Sequence, residues 1–84
     1  MAIPTKKRRT AFLEAFYERV KSVPHFHAMR VEEDTYPLAI TTEIWAPLLD
    51  RSSRDLIYNA ELQTLDEFPT IRARFTVLNP REIA

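Results

Sequence analysis

The chain's 84 residues suffice for one domain, and a hydrophobic content of 45% supplies a core and argues against disorder. It has no cysteine and no glycine, which excludes disulfides, thiol nucleophiles and cysteine-ligated metals, and also Walker loops, dinucleotide-binding turns, nucleophile elbows and glycine-containing RNA clamps. Net charge is zero but divided: residues 1–21 carry six cations against two carboxylates, a net +4, and the remainder carries six arginines against ten acids, a net −4. Such a basic end suits either nucleic acid or the acidic body of another copy.

Residues 1–9, with Lys6, Lys7, Arg8 and Arg9 in succession, read as a flexible basic N-terminal arm, because four cations oppose the dipole at a helix start. A helix is expected from Thr10, where Phe12, Ala15, Phe16, Val20 and Val23 recur every three or four residues. Pro24 closes it. Glu14, Glu18 and Arg19 interrupt any signal-peptide core, and no stretch approaches a membrane span. The chain is therefore expected to be cytoplasmic, without a membrane partner.

Residues 26–33 and 38–46 alternate and predict two strands joined through the turn "EDTYP". In the first, His27, Met29 and Val31 share one face, and Phe26, Ala28, Arg30 and Glu32 share the other. In the second, Leu38, Ile40, Thr42 and Ile44 oppose Ala39, Thr41, Glu43 and Trp45. A hairpin pairing Val31 with Ile40 sets Phe26 opposite Trp45, and a slip of one residue inverts the faces. A second helix is expected over 53–68, with Ser52 and Asp55 as a capping-box variant and Pro69 as its stop. Residues 71–78 form a third strand, with Ile71, Ala73, Phe75 and Val77 on one face and Arg72, Arg74 and Thr76 on the other.

This order predicts an α+β fold: a two-layer αββαβ sandwich with a three-stranded mixed sheet and two helices on one face. The domain spans residues 10–80, and 81–84 are a tail. The third strand can lie beside either of the others. Order 2-1-3 is preferred, which resembles a split βαβ unit lacking its opening strand. That comparison is architectural and carries no function.

Three groups of residues are candidate sites. The uncovered sheet face brings together Phe26, Arg30, Trp45, Arg72 and Arg74, flanked by threonines and by Glu32 and Glu43. Aromatics beside arginines stack bases and pair phosphates, as on RNA-binding sheets, but they also form the core of protein interfaces. The segment Arg51, Ser52, Ser53, Arg54 at a helix start offers amides, hydroxyls and guanidinium groups to a small anion, unless Asp50 and Asp55 neutralise it. Glu61 falls inside the apolar side of the second helix, on a ridge with Arg54, Tyr58 and Leu65. A buried carboxylate needs a partner, and Arg54, Tyr58 or His27 are the expected donors. His25 and His27 are too few for a zinc site, so no metal or cofactor is expected.

The leading reading is a small interaction module without catalysis of its own, a homodimer formed through the open sheet face. The second is a nucleic-acid module that uses the KKRR arm and the sheet arginines. The third is an enzyme with Glu61, His27 and Tyr58 as its acid-base set.

Overall fold

The computed structural model describes residues 4–32, 35–47 and 50–83. Helix α1 (Lys6–Val20) starts at Lys6 and not near Thr10, so the basic run is helical from Lys6 onward. The reason is Thr5, whose hydroxyl accepts from the Arg8 amide at 3.2 Å. Such a cap contributes about 1 kcal/mol. Lys and Arg are also good helix formers, and cations that extend into water oppose the dipole only weakly, at about 0.3 kcal/mol each. Residues 1–3 of the expected arm lie outside the described residues. α1 buries Phe12, Phe16 and Val20 completely.

Strands β1 (Phe26–Glu32), β2 (Leu38–Ile44) and β3 (Ala73–Leu78) and helix α2 (Ser52–Glu67) complete the sandwich. The class, the mixed sheet and the placement of both helices on one face agree with the sequence. The strand order does not: it is β1-β2-β3, with β2 antiparallel to β1 and parallel to β3. Two features place β2 in the centre. It is the most buried strand, with Leu38, Ile40 and Ile44 at most 2% exposed, whereas β1 and β3 expose Arg30, Glu32 and Arg74, charges that suit edge strands. Its start is also tied to the start of β3. The Tyr36 hydroxyl accepts from the Arg72 amide at 3.0 Å and donates to the Thr70 carbonyl at 3.3 Å, and the Leu38 amide donates to the Arg72 carbonyl at 3.0 Å.

The core lies between the sheet and the helices. Phe12 meets Phe68 edge-on at 5.7 Å, and Phe16 meets Phe75 at 5.0 Å between ring centres. Arg19 links the helices by donating to Thr64 at 3.0 Å and pairing with Glu67. After β3, Asn79 is 2% exposed; its side-chain amide donates to the Ala46 carbonyl at 3.0 Å and its oxygen accepts from the Arg81 amide. That bond anchors a final turn, α3 (Pro80–Ile83), where the sequence suggested a tail. Among the described residues no helix is long and apolar enough to cross a membrane.

Candidate interaction surface

The face of the sheet turned away from α1 and α2 is built by alternation, with one irregularity. Val31 pairs with Ile40 as expected, and the ladder continues regularly to Ala28 opposite Glu43. It then skips His27, so that Phe26 pairs with Ile44. His27 is the extra residue of a β-bulge, a device that re-aims side chains at sheet edges. The bulge exchanges two sequence assignments. Phe26 turns to the helix side, where it packs on the core and meets Tyr17 at 6.1 Å. His27 moves to the outer face, where its ring lies 5.6 Å from that of Trp45. Trp45 therefore lies opposite the His25 backbone, to which its amide donates at 2.9 Å, and not opposite Phe26. His25 precedes the bulge in the left-handed region, at φ 67°, a conformation uncommon for residues other than glycine.

Of the five residues expected on this face, Arg30, Trp45, Arg72 and Arg74 are exposed. Register places Arg30, Trp45 and Arg74 on it beside Thr41 and Thr76, with Arg72 just before β3. Phe26 is not among them. Glu43 has a larger part than its residue type suggested. It belongs to the outer face yet is only 7% exposed. Its carboxylate lies 3.7 Å from His27 Nε2 and 3.9 Å from an Arg30 nitrogen. Both distances exceed hydrogen-bond length. The arrangement is a recessed acid beside an exposed indole, with a guanidinium and an imidazole nearby at more than hydrogen-bond length.

The anion candidate at the start of α2 is already occupied by the chain's own acid. Asp50 accepts from the Ser53 amide at 3.3 Å, and the Ser53 hydroxyl shares its one proton between the Pro24 carbonyl at 2.9 Å and the Asp50 carboxylate at 3.2 Å. Asp50, and not the expected Ser52–Asp55 box, is the working cap. The Ser53 amide bond, followed by the Ser53 hydroxyl, the Ser52 amide and nearby His25, holds the Asp50 carboxyl below the usual carboxylate range against the opposing effect of burial. Arg51 and Ser52 are exposed, Arg54 is half-buried, and Ser53 is fully buried. The missed signal was an Asp three residues before a Ser at a helix start.

Glu61 is half-buried on α2, as its position in the apolar arc implied. Its Oε2 is buried and, among the described residues, accepts no hydrogen bond. Burial pushes its carboxyl up to about 7. Tyr58 is 46% exposed, and His27 is on the opposite side of the sheet. The acid-base set of Glu61, His27 and Tyr58 is therefore not assembled. The two histidines also separate, since His25 faces Asp50 at 3.8 Å while His27 faces Glu43. Among the described residues no three His, Asp or Glu side chains converge as a metal site. A shallow groove between the helices, about 490 Å³ and lined by Arg19, Leu56, Asn59 and Gln63 among others, holds no chemical constellation.

No protein-family model matches the chain, and neither a curated protein nor a solved structure matches it significantly.

Proposed function

We propose that the protein is a small interaction module acting inside the cell, which forms a homodimer by burying the outer face of its sheet. The observation that carries this reading is the juxtaposition of Trp45, 44% exposed, with Glu43, 7% exposed, on a face that neither α1 nor α2 covers. Tryptophan and arginine are the residues that dominate the centres of protein interfaces. The face carries both signs of charge, which suits its own copy better than a polyanion. The nucleic-acid alternative loses support from two features: Phe26 is withdrawn to the core, leaving Trp45 and His27 as the rings available for stacking, and the basic run belongs to a helix on the other layer.

The test is sedimentation equilibrium of the wild type and Trp45→Arg, each checked for folding by circular dichroism. The wild type is expected to dimerise and the variant to be a folded monomer. A wild type that stays monomeric at high protein concentration overturns the reading. A variant that unfolds shows that Trp45 belongs to the monomer's own packing.

A further inference from the structure

Glu43 lies recessed on the outer face, 7% exposed. Among the described residues its carboxylate has long ion-pair contacts, with Arg30 at 3.9 Å and with His27 Nε2 at 3.7 Å, which leave acceptor capacity for a closer donor. On the same face Arg74 is exposed and, among the described residues, has no acidic partner, and the same holds for the neighbouring Arg72. The acid and the free guanidinium groups lie at opposite ends of the strands. Arg74 pairs with Ala39, Glu43 pairs with Leu78, and the Thr41–Thr76 row lies midway between them.

We propose that Glu43 receives Arg74 of a second copy across a two-fold axis that runs perpendicular to the strands at the Thr41–Thr76 row. This rests on the self-association reading above. The register supplies the geometry. Arg74 and Glu43 each lie two residues from the axis row, about 7 Å along the strand. The two-fold operation therefore lays the partner's Arg74 over Leu78, offset sideways from Glu43 by one strand spacing of about 4.8 Å and separated from it by the roughly 10 Å between packed sheets, a span that an extended arginine and a glutamate side chain cover together. The same operation lays Trp45 over the partner's Pro37–Ala39, where side chains are small enough to receive an indole. Arg30 lies on the axis row itself and approaches its own copy there; the Glu43 carboxylate 3.9 Å from each offsets that repulsion. An axis parallel to the strands that runs along the central strand β2 stacks Glu43 on Glu43 instead. Two like charges meeting in a recess disfavour it. The proposed pair forms twice in a symmetric dimer, because an isologous contact repeats.

The experiment compares dimer dissociation constants by sedimentation equilibrium for the wild type, Arg74→Glu, and the charge swap Glu43→Arg with Arg74→Glu. Arg74→Glu is expected to weaken the dimer at least about tenfold, which corresponds to roughly 1.4 kcal/mol. The swap is expected to recover most of that loss. If the wild type dimerises and Arg74→Glu dimerises equally well, the ion pair is wrong and self-association stands. The same holds if a folded swap variant fails to recover. If the wild type is monomeric, the self-association reading fails, and this inference fails with it. Glu43 is buried and Glu43→Arg can unfold the chain, so a cycle with the milder Glu43→Gln and Arg74→Gln runs in parallel. Non-additivity of at least about threefold supports the pair, and additive effects overturn it.

Discussion

Glu61 has a carboxyl pushed up to about 7 by burial, with a buried Oε2 that no donor among the described residues meets. Its folded value is raised above the ordinary 4.5, so folding favours the protonated form. The sign follows: the residue does not weaken the protein below pH 4.5, weakens it progressively as pH rises from there to about 7, and weakens it fully above. Glu61→Gln removes the charge and keeps the shape. It is expected to stabilise the protein at pH 8 by about 1–2 kcal/mol, after discounting for the water that reaches a half-buried group, and to have no such advantage at pH 4. Urea unfolding of both proteins at the two pH values measures this, and equal stability at pH 8 refutes it. The helical period exposed the anomaly of Glu61 in the sequence, because a 100° step places it within the apolar arc. It did not reveal that Oε2 lacks a donor among the described residues, since donor distance is a tertiary quantity. Glu43 was hidden for a related reason: an acid at an outward-facing strand position normally stays solvated, and here its neighbours close over it.

At the scale of elements, alternation placed the faces of β2 and β3 correctly and failed in β1 at one residue. A bulge adds a step that the period of two counts and the pairing ignores. Up to Ala28 every assignment holds; beyond it, Phe26 and His27 change sides. Two variants test this together. Phe26→Ala should cost about 1–2 kcal/mol in denaturant unfolding, because a ring packed on the core is lost. Deleting His27 should cost less than about 1 kcal/mol, because it leaves Phe26 opposite Ile44 and makes the ladder regular. A neutral Phe26→Ala, or a chain that unfolds when His27 is removed, contradicts the bulge. The start of α1 was misjudged for a different reason. Four cations at a helix end outweigh the cap only if the dipole term is strong, and for exposed side chains in salt it is weak.

The whole molecule measures 41 × 22 × 16 Å, and the shortest dimension leaves room for only one layer of helices on one sheet. A chain of this size buries only a little over ~60% of the surface its unfolded form exposes, so its own core leaves a small stability margin. The proposed association through the outer face would add to that margin by mass action. The melting temperature of the wild type should therefore rise with protein concentration, by about 3–5 °C per tenfold, while that of Trp45→Arg stays constant. Calorimetry over a hundredfold range decides it; a wild-type value independent of concentration counts against the dimer.

The chain alone determined which segments become helices and strands and which sides of most of them are apolar, because both follow from local sterics and from the 3.6- and 2-residue periods. Pro24 and Pro69 marked the ends of the helical regions, and the pairing of Val31 with Ile40 followed from matching apolar faces. The neighbour of β3, the bulge at His27 and the recess around Glu43 were decided only in three dimensions. Each depends on groups far apart in the chain: the Tyr36 hydroxyl on Arg72, and Glu43 beside His27 and Arg30. Such choices are made by summed packing and hydrogen-bond satisfaction across the fold, which no local period encodes.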